Sequence, residues 1–79
     1  MRIDKYLKVS RIIKRRPVAN QACAAGAVKI NGNVAKPGSK VEAGDVIEIE
    51  LGGRVKKYEV LEIAETVTKE KASGMYKEL

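Results

Sequence analysis

Residues 2–32 read RIDKYLKVSRIIKRRPVANQACAAGAVKING, and the way this stretch folds decides how the remainder of the chain is arranged. Ile3, Tyr6 and Leu7 recur at i, i+3 and i+4, the spacing of one helix face. Asp4 puts an acid in the first turn, where it complements open N–H groups. This predicts a short helix over residues 4–10 that depends on packing, because so few residues cannot hold a helix in water. Ser10 and Arg11 mark its exit. Pro17 suits the first turn of a second helix, where its missing N–H has no partner to lose. That helix is expected to reach Ala25, with Val18, Ala22 and Ala25 as its apolar stripe and Ala19 and Cys23 as the flank. Gly26 is the expected stop, since glycine takes the left-handed conformation common after a helix C-terminus. Val28 and Ile30 then alternate with Lys29 as a strand does, and Asn31-Gly32 favours a two-residue type I′ hairpin turn.

Beyond this stretch the pattern becomes strand-like. Asn33 to Ala35 should return beside the first strand with Val34 facing inward, and Lys36 to Lys40 is a loop by composition. Glu42 to Asp45 supplies a turn. Val46 to Leu51 alternates, with Ile47, Ile49 and Leu51 on one face and Glu48 and Glu50 on the other. Gly52-Gly53 closes another tight connection into a long strand expected from Arg54 to Ile63. Helices followed by hairpin-linked strands give an α+β class with a mainly antiparallel sheet. Residues 1–65 are expected to form a single binding domain, and residues 66–79 a short C-terminal helix, centred on Lys69 to Tyr76, or a flexible tail.

Charge divides the chain. Residues 1–41 carry ten bases and one acid, Asp4, whereas residues 42–79 carry six bases and nine acids, so the net +6 is polarised. A surface of one sign draws in a polyanion and holds it through released counterions. The candidate contacts are Arg2, Lys5, Lys8, Arg11, Lys14, Arg15 and Arg16 on and between the helices, joined by Lys36 and Lys40 in the loop. Arg16 leads, because Pro17 and the helix behind it should hold its guanidinium, whose fork suits phosphate.

Catalytic chemistry finds little material. There is no histidine, the acids show no metal-binding or hydrolytic spacing, and Gly52-Gly53 lacks the lysine and helix of a phosphate loop. The lone Cys23 reads as a small buried hydrophobe. It also excludes an internal disulfide and favours a reducing compartment. No signal-length or membrane-length apolar run occurs, so the expected location is the cytoplasm, with no enzyme activity, cofactor, metal or membrane partner. Asn20 and Gln21 lie on a helix too short for a protruding DNA reader, and no strand carries the paired aromatics of a single-strand platform. Folded RNA, recognised by backbone and shape, fits better than DNA.

Arg2-x-Asp4-x-x-Leu7, Ser10-Arg11, Gly26-Ala27-Val28-Lys29-Ile30-Asn31-Gly32 and Val41-x-x-Gly44-Asp45-x-Ile47 together resemble the S-four-type RNA-binding domain over residues 2–50. The resemblance implies two helices packed on a small, highly twisted sheet, with Arg2, Lys5, Arg11, Arg16, Lys29 and Asn31 at or beside contact positions. Pro17 departs from the Ser or Thr common there. The segment Lys8 to Arg16 and the ending Lys69 to Tyr76 are similar to the RqcP (YabO) family, which in turn is similar to the heat-shock protein fifteen family; the longer basic C-terminal extension of the latter is absent here. No synthase or synthetase domain accompanies the motif, so the catalytic members of the superfamily are not expected. The resemblance implies a monomer that binds large-subunit rRNA and P-site peptidyl-tRNA on the large ribosomal subunit. It would work beside an NEMF-like factor that adds C-terminal alanines to stalled chains. Two other readings stay open on the residues alone: a permanent structural or assembly rRNA-binding protein, and a basic protein-interaction module.

Overall fold

The computed structural model describes residues 1–79. Helix α1 spans Ile3–Val9 and α2 Arg16–Ala24; strands β1 (Val28–Ile30), β2 (Asn33–Val34), β3 (Val46–Leu51) and β4 (Arg54–Val60) follow, then α3 (Lys69–Ala72) and β5 (Tyr76–Glu78). The strands form one antiparallel sheet in the order β2-β1-β3-β4-β5. The two N-terminal helices pack on one face of it, which is the α+β arrangement expected.

The core forms where those helices meet the sheet. Ile3, Tyr6 and Leu7 of α1 are fully buried against Val28, Ile47, Ile49, Tyr58 and Val60. Helix α2 turns Ala19, Ala22 and Cys23 inward, while Val18 and Ala25 are exposed. The stripe is therefore rotated from the expected one. Its small side chains let the α2 backbone lie close to α1.

Gly26 ends α2 at φ +77°. Its N–H donates to the Cys23 carbonyl and that of Ala27 to the Ala22 carbonyl, both at 3.0 Å, the paired closure of a Schellman motif. The Asn31-Gly32 turn has positive φ at both residues, as type I′ requires. That turn also sets the register that corrects Val34. Lys29 pairs with Val34, so both point to solvent, and Ala35 is the residue that turns inward.

In β3, Ile47 and Ile49 are buried, but Leu51 is 55 % exposed because the β3–β4 hairpin extends past the helices. Strand β4 stops at Val60, earlier than expected, where the Met75 carbonyl accepts from the N–H groups of Leu61 and Glu62. The helix at the C-terminal end is only one turn long, and Tyr76–Glu78 continue as a strand pairing with Tyr58–Val60. Met75, fully buried, and the 2.9 Å bond from the Tyr6 hydroxyl to the Met75 carbonyl tie that segment to α1. No helix is long and apolar enough to cross a membrane.

Candidate nucleic-acid interface

Asp4 is the anchor of the interface. Only 1 % exposed, it would be costly there as a lone charge. Arg2 resolves this by donating through Nε and Nη2 to the two carboxylate oxygens at 3.1 and 3.0 Å, and the Lys5 N–H donates to Oδ1 at 2.8 Å. From α2, Asn20 Nδ2 donates to Oδ2 at 3.4 Å and Arg16 Nη2 lies 3.6 Å from Oδ1. Burial, the largest single influence, pushes the Asp4 carboxyl up, but the bonds from Asn20, Arg2 and Lys5 together with the Arg2 charge bring it below its ordinary value. One buried anion thus holds two arginines from two elements. Both guanidinium side chains remain about half exposed, with donors left for an outside anion.

Arg16 is the first residue of α2 and Pro17 the second, within the first turn as the sequence suggested. Between the helices, Arg11 adopts φ +63°, a left-handed conformation unusual for a side chain larger than Asn. Its N–H closes onto the Lys8 carbonyl at 3.1 Å, and Ile13 N–H donates to the Leu7 carbonyl at 3.0 Å, so the turn folds back over the end of α1. Ile13 is buried beneath it, and Lys14 and Arg15 stand in solvent.

The outcome is a groove of about 410 Å³ lined by Lys5, Lys8, Arg11 and Arg16 on one side and Glu65, Thr66 and Val67 on the other. Glu65 is its single acid. It pairs with Lys5, and that bond and charge hold its carboxyl below the usual range. Arg16 also borders a second open depression with Asp4, Asn20 and Gln21. The loop carrying Lys36 and Lys40 closes on the start of α1: the Ser39 and Pro37 carbonyls accept from Ile3 and Asp4 N–H, and Lys40 bridges to Arg2. Lys40 is therefore placed beside Arg2, while Lys36 stands exposed in the same loop, with its N–H donating to the Ser39 hydroxyl.

Two candidates stand apart. Lys29 lies on the sheet face away from the helices, between Val34 and Glu48 in register, and Glu48 is 3.5 Å from Lys57. Asn31 spends its side chain on a latch, donating to Asp45 Oδ1 at 3.1 Å and accepting from Val46 N–H at 2.9 Å. The Asn-Gly and Gly-Asp motifs meet in this latch, which fixes the β1–β2 hairpin to β3. Glu65, Thr66 and Val67 were missed as groove residues, because nothing near them in sequence signals the packing that brings them to α1.

No group of three or more metal-ligating side chains is assembled. Cys23 is buried, and burial, with the Asp4 charge adding, pushes its thiol up to about 11, opposite to what a nucleophile needs.

The S4 domain family model matches residues 1–47, which contain both helices, the basic turn and the Asn31 latch. The chain belongs to the S4 domain family. Among S4 proteins it is 49 % identical to the RQC P-site tRNA stabilizing factor of Halalkalibacterium halodurans, over 96 % of this chain and 86 % of that one. It is 45 % identical to the factor of the same name in Bacillus subtilis, over 96 % and 88 %. The trimeric structure of Vibrio cholerae heat shock protein 15 superposes with a TM-score of 0.89 at 31 % identity, covering 100 % of this chain and 81 % of that one. Homology to both groups agrees with the sequence resemblance, and the likeness extends through β5 beyond the S4 motif itself.

Proposed function

We propose that this chain is a non-catalytic ribosome-associated quality-control factor. It binds large-subunit rRNA and peptidyl-tRNA in the P site, keeps that tRNA placed, and so supports C-terminal alanine tailing of stalled chains by an NEMF-like partner in the cytoplasm. The observation that carries the reading is the groove in which Lys5, Lys8, Arg11 and Arg16 converge beside the Asp4-ordered Arg2, in a chain nearly half identical to factors named for stabilising P-site tRNA. Such a groove suits an RNA backbone ridge, where phosphates supply affinity and shape supplies fit. Contacts of this kind carry no base code, as expected for a factor that must act on many stalled chains. We take it to act as a single copy, a reading supported by groove and anchor both being built from one chain.

Arg16 tests it. Arg16→Ala, Arg16→Lys and the distant control Lys71→Ala are compared for binding to large subunits bearing peptidyl-tRNA at one ionic strength, after circular dichroism confirms folding. The expected order is Lys71→Ala equal to the parent, Arg16→Ala weaker by about tenfold, and Arg16→Lys intermediate because it keeps the charge but loses the fork. Equal binding by Arg16→Ala and Lys71→Ala would refute the site. Recovery of the protein at one copy per mature ribosome would favour a permanent rRNA-binding role instead.

A further inference from the structure

The β3–β4 hairpin carries a surface that the basic groove does not use. Leu51, Arg54 and Lys56 lie on the same sheet face as Ile49 and Tyr58, but beyond the helices, and with Ile12 they enclose an open slot of about 280 Å³. Its floor is apolar. Ile49 and Tyr58 are buried, Ile12 is half-buried, and Leu51 is exposed at the rim. Tyr58 packs edge-on against Tyr76, with ring centroids 5.3 Å apart. The lining charges are Arg54 and Lys56; Lys56 has Glu78 3.9 Å away as a loose, exposed partner.

Adjacent residues of one turn line both sites: Arg11 faces the basic groove and Ile12 the slot. A polyanion that touches Arg11 in the groove is thus one residue along the chain from the wall of an apolar slot whose own lining charges are positive. We propose that this slot receives one unpaired nucleobase of the RNA held in the groove, with the phosphates on either side of it resting on Arg54 and Lys56. A flat heterocycle gains by leaving water for an apolar wall and a guanidinium plane, and bases splayed from RNA bulges and loops are the ones free to do so. The size suits a single base, being at the lower limit of small-molecule pockets. Charge complementarity selects this occupant over an apolar protein segment, which would gain nothing from two cations at the rim.

The inference rests on the RNA-binding reading above, and the test separates the two. Affinity is measured at one ionic strength for three RNAs: a fully paired duplex, the same duplex with one bulged nucleotide, and the bulged duplex with an abasic nucleotide at that position. The abasic RNA keeps the charge and the backbone bend but lacks the base. Expected is about tenfold tighter binding of the bulged than of the abasic RNA, with that preference lost in Leu51→Ser and reduced in Arg54→Ala. Val55→Ser, on the opposite face of the same hairpin, should retain it. Equal binding of bulged and abasic RNA, or a preference that survives Leu51→Ser and Arg54→Ala, overturns the slot while leaving the groove intact, and would point the slot to a protein segment. No measurable binding of any of the three overturns both readings. Leu51 is exposed, so its substitution leaves the core untouched and the variants can be checked for folding by circular dichroism.

Discussion

Asp4 does two jobs whose effects on RNA binding oppose each other. As a negative charge beneath a basic surface it weakens attraction for phosphate, and as the shared acceptor of Arg2, Asn20 and the Lys5 N–H, with Arg16 beside it, it holds the arginines in place. A count of charges predicts that Asp4→Asn tightens RNA binding. The geometry predicts weaker binding, because Arg2 and Arg16 lose their common anchor, and titration of a short RNA duplex decides between them. The same substitution should lower the melting temperature by about 5–10 °C, corresponding to about 1–2 kcal/mol for weakened charge-assisted bonds. The acid dependence follows from the direction of the shift. The folded carboxyl lies below its ordinary 3.8, so its contribution is present above that pH and is lost as pH falls through the depressed value. Asp4→Asn should therefore lose less stability than the parent on acidification from pH 5 to about pH 2, as followed by thermal melts. Identical acid profiles would show that Asp4 is not the group responsible.

The link from Leu61 to Thr68 has no regular structure, yet it forms the far wall of the groove. Glu65, on this link, occupies Lys5 as a phosphate oxygen would, so incoming RNA must displace one carboxylate before it gains one cation. Glu65→Gln should strengthen duplex RNA binding by about twofold to fivefold, the scale of an exposed ion pair, and steepen the salt dependence by roughly one phosphate contact. In a Lys5→Ala background the gain should vanish, since the carboxylate would have no cation to withhold. A gain of the same size in both backgrounds would mean that Glu65 acts only through general repulsion. The turn between α1 and α2 contributes differently. Its left-handed Arg11 and buried Ile13 hold a basic corner in a fixed shape, so the groove exists before any ligand arrives.

Folding converts a charge bias along the chain into one in space. The basic first half supplies both helices and their turn, while the acidic second half supplies most of the supporting sheet, with Glu48 and Lys57 paired on the face away from the helices. With principal extents of 28 × 24 × 22 Å, opposite faces lie about three Debye lengths apart at physiological salt, so the acids on the far face are largely screened from RNA on the near one. Four groove cations predict a slope of log K against log salt of about −3, each neutralised phosphate contributing roughly −0.7 to −0.9. A slope flatter than about −2 would contradict the groove as the main contact.

What local sequence determined here is what depends on few neighbours. The Ile3-Tyr6-Leu7 face, the Gly26 stop, the Asn31-Gly32 turn and the basic character of residues 1–41 are each decided within a few residues by periodicity, allowed φ or charge. Family-wide motifs extended this to the layered α+β arrangement. What only the tertiary structure decided depends on contacts between distant parts of the chain. Lys5 meets Glu65 across sixty positions and Tyr6 meets Met75 across sixty-nine. The facing of Val34 follows from a pairing register, and the exposure of Leu51 from where the helices stop covering the sheet. The division of the cations follows from the same cause. Periodicity places a lysine on a strand but not which side of the sheet the helices cover, so Lys29 reads in sequence like Lys5 and lies in the fold on the opposite face.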